Sequence, residues 1–135
     1  MSEPLKTELV VLGAGPGGYA AAFQAAARGK KVMFVERESR LGGVCLNRGC
    51  IPSKALLSAT AVIREARASG ERGITFEEPQ IHLGKLRDWK DSVLDKLGQG
   101  IRAMAKSHGV EVMTGRGFFE GSHTLRVETG EGQKF

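Results

Sequence analysis

The 135 residues are enough for one modest domain, and an apolar content of 41% supplies a core, with no sign of disorder or collagen-like repetition. A net charge of +5 raises nucleic acid as a partner, but the 20 basic residues are dispersed among 15 acids with no block and no aromatic interleaving, so they read as a solvated surface. No apolar run nears the ~18 residues of a membrane helix, the start MSEPLKTELVVLG is not built like a signal peptide, and two cysteines do not make a disulfide framework, so a soluble cytoplasmic protein with no membrane or nucleic-acid partner is expected.

Leu9–Leu12 (LVVL) is a short continuous apolar run, the mark of a buried parallel strand. It enters Gly13-Ala14-Gly15-Pro16-Gly17-Gly18, which opens an alanine-rich helix from about Pro16 to Arg28, closed by Gly29. Val32–Val35 follows as a second strand, with Glu36 at its end. Strand, glycine turn, helix, strand and acid in this order read as a dinucleotide-binding βαβ unit. Gly13 permits the tight turn and Gly15 lets the backbone approach a pyrophosphate seated on the helix N-terminus. Gly18 lets the helix pack against the strand, helped by Ala21, Ala22 and Ala25. Glu36 is placed to accept from a ribose 2′-hydroxyl and would repel a 2′-phosphate. The fingerprint does not separate NAD from FAD.

The stretch Leu41–Lys54 (LGGVCLNRGCIPSK) holds both cysteines, Cys45 and Cys50. On a regular helix five positions give about 7.5 Å of rise and a Cα separation of about 8.6 Å, beyond the ~7 Å limit for a disulfide. A bridge therefore requires Asn47-Arg48-Gly49 to bulge, which Gly49 makes cheap because it can take positive φ. Pro52 is expected at the first position of a new helix, with Ile51 extended before it. Cys50, just ahead of that helix, would feel the unpaired N–H groups and favour a thiolate, while Cys45 lies further off. Lys54, in the first turn, stands where the dipole disfavours a cation, which suggests a local anion such as the Cys50 thiolate. A zinc site would need two further ligands, and His82, His108 and His123 do not supply the spacing, so they read as surface residues and no metal is assigned.

The new helix should run from Pro52 to about Ser69, with Ala55, Ala59, Val62 and Ala66 on one small-residue face, and Gly70–Pro79 should be a loop. A second helix is expected over Leu83–His108, its core stripe Leu86, Trp89, Val93, Leu97, Ile101 and Met104, with Gly109 as the stop. Gly98 and Gly100 inside it predict a local weakness. Val110–Met113 reads as a third parallel strand. Arg116–Glu120 and Thr124–Glu128 read as an antiparallel pair turning at Gly121-Ser122-His123, with a further turn at Thr129–Gln133 and a return strand beginning at Lys134-Phe135.

The run GAGPGGYAAA, then Glu36, then GGVCLNRGCIPSKALL resembles the N-terminal part of the flavin disulfide reductases, over essentially all 135 residues. Leu46-Asn47 and Ile51-Pro52-Ser53-Lys54 are similar to the dihydrolipoamide dehydrogenase branch rather than to its glutathione and mercuric relatives, which usually carry Val at the position of Leu46. The resemblance implies an α/β fold: a Rossmann-like FAD-binding domain over residues 1–135, a parallel sheet with helices plus a small antiparallel β-meander, incomplete at its C-terminus. It implies FAD along Gly13, Gly15, Pro16 and Gly17, the adenosine ribose on Glu36 beside Arg37, and the pyrophosphate reaching Gly42, Gly43 and Val44. It further implies Cys50 as the sulfur next to the flavin, Cys45 as the interchange thiol, Lys54 by the flavin ring and Gly117 approaching the FAD. The implied reaction reoxidises dihydrolipoamide through a Cys45–Cys50 disulfide and FAD to NAD⁺. The implied partners are lipoyl groups of a dihydrolipoyl acyltransferase in a 2-oxo acid dehydrogenase complex, and a second copy in a homodimer. The NAD-binding and dimerisation domains of that family are not in these 135 residues, so little turnover is expected from them alone. Two other readings stand beside this one: a dinucleotide-binding module without turnover, and a flavin disulfide reductase of the glutathione or mercuric type.

Overall fold

A computed structural model describes residues 4–130. Strand β1 (Leu9–Leu12), helix α1 (Pro16–Ala27) and strand β2 (Val32–Glu36) form the βαβ unit where the sequence placed it. Two consecutive helices follow, α2 (Gly43–Arg48) and α3 (Cys50–Ala68), then a 3₁₀ turn (Ser69–Arg72) at the start of the expected loop. The long helix α4 (Leu83–Ser107) returns to strand β3 (Glu111–Thr114), and β4 (Arg116–Gly121) and β5 (Thr124–Glu128) close the described chain as a hairpin. The expected turn at Thr129–Gln133 and the return strand at Lys134-Phe135 lie largely or wholly outside the described residues.

The three parallel strands lie in the order β1-β2-β3, with Val10 opposite Met33 and Phe34 opposite Val112. Central β2 is buried along its whole length. Alternation along it separates two faces. Val32 and Phe34 meet Ala22 and Phe23 of α1, Ala105 of α4, Leu41 and Val110 in one core, with the Phe23 and Phe34 rings edge-on at 5.9 Å. Full burial of a side chain such as Phe34 contributes about 1.5–3 kcal/mol. On the opposite face Val35 meets the β4–β5 hairpin near Gly117. The result is helices on one side of the sheet and a small antiparallel ribbon on the other.

Three expectations about packing need correction. β1 was expected to be buried, yet Leu9, Val10 and Leu12 are 37–45% exposed, because among the described residues β1 pairs with β2 alone. On α1, Ala22 is buried and Ala25 half-buried, but Ala21 faces outward. On α4 only part of the expected stripe is inside: Trp89, Leu97 and Met104 are 42–48% exposed, and the buried line is Leu94, Gly98 and Ala105 with Ile101 half-buried. The helix runs unbroken through Gly98 and Gly100, so the expected weakness takes no visible form. It stops as expected, with Gly109 at φ +67° just beyond His108.

Candidate functional site

The glycine turn does what its residue types require. Gly13 has φ +95° and donates its N–H to the Val35 carbonyl at 2.8 Å, pinning the turn to β2. A Cβ on Gly18 would collide with the Gly13 carbonyl, so the helix–turn contact depends on hydrogen at that position. Pro16 is the first residue of α1, and the helix has neither a side-chain cap nor an acid in its first turn. Its first-turn N–H groups therefore have no side-chain partner.

Glu36 is buried, and both carboxylate oxygens are used. Oε2 accepts from the Ala14 N–H at 2.8 Å and Oε1 from the Glu38 N–H at 3.0 Å. This ties the end of β2 across to the glycine turn. Each oxygen keeps a second lone-pair site, so a hydroxyl can still be accepted. The Glu36 carbonyl accepts from the Gly115 N–H at 2.8 Å, which brings the β3–β4 turn to the same strand end. Gly117 lies two residues further on. A Cβ there would stand 2.6 Å from Leu12 Cδ1, so a side chain at this position would have to displace that of Leu12.

The segment carrying the cysteines docks on the turn. Gly42, at φ +114°, donates to the Ala14 carbonyl at 2.9 Å, and a Cβ on Gly43 would lie 2.6 Å from Gly15 Cα. Two glycine-rich stretches are thus in backbone contact, with Val44 exposed beside them. A cleft of about 720 Å³ opens here. It gathers Glu36, Arg37, Gly43 and Val44 of the expected site, and adds Arg40, Asn47, Asp95, Gln99 and Arg102, which sequence reasoning did not single out. Asn47 Oδ1 is a buried acceptor with no partner among the described residues.

The break between the cysteines is sharper than a bulge. α2 stays helical through Arg48, and the chain turns at Gly49 alone, with φ −127° and ψ −109° rather than positive φ. A Cβ there would crowd the Val44 carbonyl at 3.3 Å. Helix α3 begins at Cys50, two residues before the expected start, so Ile51 is helical rather than extended. Pro52 becomes the third helical residue, still a position whose N–H has no partner within the helix; the first turn closes with the Ser53 N–H on the Gly49 carbonyl at 3.2 Å. Lys54 moves to the fifth position, just past the first turn, and is exposed.

Both thiols are free, Cys45 half-buried and Cys50 exposed, and the turn at Gly49 brings them into mutual hydrogen-bonding range. The hydrogen bond with Cys50 pushes the Cys45 thiol above its ordinary value of 9.0, aided by partial desolvation and the charge of Cys50. Against this, the Cys50 backbone N–H and the Lys54 charge favour ionised Cys45. The Cys50 backbone N–H, the first amide of α3, acts on Cys45, so the helix start does not single out Cys50. The three histidines are all exposed, as expected, and no cluster of metal-ligating side chains occurs among the described residues. No helix among the described residues is long and apolar enough to cross a membrane.

Known proteins share much of this sequence. Residues 7–135 match the family described as pyridine nucleotide-disulphide oxidoreductase. The chain is 50% identical over 133 residues to a dihydrolipoyl dehydrogenase of Vibrio parahaemolyticus, covering 98% of this chain and 28% of that protein. It is 51% identical over 132 residues to the Haemophilus influenzae protein of the same name, again covering 98% and 28%, and 47% identical over 127 residues to that of Geobacillus stearothermophilus, covering 94% and 27%. The chain thus spans a little over a quarter of the length of these relatives, matching their N-terminal part. Glycine turn, buried acid and paired cysteines on a docked glycine segment, together with a match over nearly the whole sequence, show that the chain belongs to the pyridine nucleotide-disulphide oxidoreductase family.

Proposed function

We propose that these residues are the N-terminal part of the FAD-binding domain, and hold the redox disulfide, of an oxidoreductase that reoxidises dihydrolipoamide and passes the electrons through Cys45–Cys50 and FAD to NAD⁺. The observation that carries the reading is the docking of Gly42-Gly43 on Gly15, which sets a dithiol next to an uncapped glycine turn and an acid. The donor set fits a dinucleotide. Backbone N–H groups at Gly15–Gly18 suit a pyrophosphate, and the remaining lone pairs of Glu36 suit ribose hydroxyls. Bound FAD would supply a two-electron acceptor.

The chain's own chemistry is thiol–disulfide exchange. With Cys45 and Cys50 oxidised, one dihydrolipoyl thiolate attacks Cys45 Sγ, forming a mixed disulfide and releasing Cys50 as a thiolate. The second lipoyl sulfur then attacks the first, closing the cyclic disulfide and leaving Cys45 as the second reduced sulfur. Two electrons and two protons have then left the substrate, one proton to solvent as the attacking thiol ionises and one to the reduced cysteine pair. The reduced pair keeps one proton and one negative charge, and the neighbouring Cys50 side chain raises the pKa of Cys45. Lys54, close enough to act on Cys45, balances that charge. The full reaction also needs a nicotinamide site, for which these residues contain no second glycine fingerprint, and the homodimer, lipoyl-acyltransferase and cytoplasmic settings of the reading belong to the whole protein.

The test is lipoamide–NAD turnover of the full-length protein with Cys45→Ser and with Cys50→Ser. Both variants should fall to background while retaining flavin. Turnover in either near that of the parent protein would overturn the reading. Flavin retention with no turnover in the parent protein itself would favour the binding-module reading.

A further inference from the structure

The loop from Arg37 to Leu41 joins β2 to α2; Glu36, Asn47 and Arg48 hold it from within the site, and α4 holds it from outside the dinucleotide turn. Arg102 donates from its guanidinium to the Ser39 carbonyl at 2.9 Å. Asp95 pairs with Arg40. Gly98 is buried under the same loop: a Cβ there would stand 2.8 Å from Arg40 Cγ and 3.6 Å from the Leu41 carbonyl. Leu41 is itself 1% exposed, so the loop cannot slide without breaking the core. Immediately after Leu41 come Gly42 and Gly43, which touch Ala14 and Gly15. A continuous line of contacts therefore runs from one face of α4, through the loop, to the glycine turn.

We propose that Asp95, Gly98 and Arg102 of α4 are positioning residues for the dinucleotide site: they fix where the loop sets Gly42-Gly43 against the glycine turn, and so set its affinity for the adenosine–pyrophosphate portion of the ligand. The proposal rests on the FAD reading above. Gly98 has an internal control two residues away. Gly100 sits in the same helix with nothing within 4 Å of where its Cβ would be. Alanine is the better helix former at both positions, so helix propensity moves both variants the same way, and only Gly98→Ala pushes on Arg40.

The experiment titrates FAD and, separately, ADP onto flavin-free full-length protein, with thermal unfolding of each ligand-free variant measured alongside. Gly100→Ala should bind as the parent does. Gly98→Ala should bind both ligands about tenfold more weakly, the loss expected of one displaced hydrogen-bonding segment. Arg40→Asp and Asp95→Arg should each weaken binding, and the double exchange should restore it, even if Gly98→Ala folds poorly. Unfolding temperatures that fall while both dissociation constants stay fixed would overturn the proposal, since α4 would then only stabilise. A parent protein that binds neither FAD nor ADP would remove the FAD reading and this proposal with it.

Discussion

The βαβ half and the α3–α4 hairpin follow equally clear apolar periodicities, yet they come out differently. In the first, all five residues of β2 are buried and the turn, helix and acid meet at their expected places. In the second, Val62 is 70% exposed and three residues of the expected α4 stripe point outward. Periodicity states which residues share a face; a partner decides whether that face is covered. α1 finds its partner on the strands it connects, so local spacing and tertiary contact coincide. The hairpin docks through its small residues instead. Ala55, Gly98 and Ala105 are buried, while several larger side chains remain outside.

The comparison breaks most visibly at Gly18. An added Cβ would meet the Gly13 carbonyl, backbone that cannot step aside without moving the turn from β2. Gly18→Ala should destabilise the protein by about 3 kcal/mol, the upper part of the usual range for overpacking, and abolish flavin retention. Urea unfolding measures the first and absorbance of the purified protein the second. A loss under about 0.5 kcal/mol would show that helix and turn are not in contact.

Next in size is Glu36→Ala, which leaves the Ala14 and Glu38 amides without their carboxylate. FAD binding should weaken by about 1.5–3 kcal/mol, the range of a hydrogen bond to a charged group, and unfolding should report a loss as well. Unchanged affinity would take Glu36 out of the site.

A smaller effect is expected at the thiols, where the two halves meet. Cys45 is held above its ordinary value chiefly by Cys50, so at neutral pH it carries less thiolate than an unperturbed cysteine. Cys50→Ala removes the largest raising cause and leaves partial desolvation, which still raises the thiol, against the backbone N–H at position 50 and Lys54, which lower it. The alkylation profile of Cys45 should therefore shift to lower pH, with faster reaction at pH 7. Rates with iodoacetamide, read by mass spectrometry, check this. A shift to higher pH would mean that Cys50 had favoured the thiolate.

What could be read beforehand follows the same division. Strands β1 and β5 and the start of α1 lie at the expected residues because each is fixed by a local rule: an apolar run, a proline at a helix start, a two-residue turn. The cysteine kink was readable as a need, since a regular helix separates the sulfurs too far, but not as geometry. Pro52 drew the helix start toward itself, although a third-position proline loses no helix hydrogen bond either. Gly98 costs helix propensity, but it also packs under the Arg40–Leu41 loop. Its role was visible only in the spacing Leu94, Gly98, Ile101, Ala105, a stripe whose two small residues made it less prominent than the bulkier line of Trp89, Leu97 and Met104. Asp95 and Arg102 carried no local mark at all, because their roles depend on a loop 55 and 63 residues earlier in the chain.

The smallest expected effect lies at Val62. Sequence placed it on the packed face of α3 with Ala55, Ala59 and Ala66; the structure rotates it out, and Ile63 takes its place in the half-buried line. Valine and serine have similar helix propensities, so Val62→Ser changes little except apolar area. For an uncovered side chain the change in stability should stay within about 0.5 kcal/mol by urea unfolding. The same exchange at buried Val32 would remove a core side chain and place a hydroxyl among Ala22, Phe23 and Phe34, at a cost of roughly 2–4 kcal/mol. A measured loss near that size at Val62 in the full-length protein would mean that another part of the molecule covers the outer face of α3, and the exposed hairpin would then be an interface rather than a solvated surface.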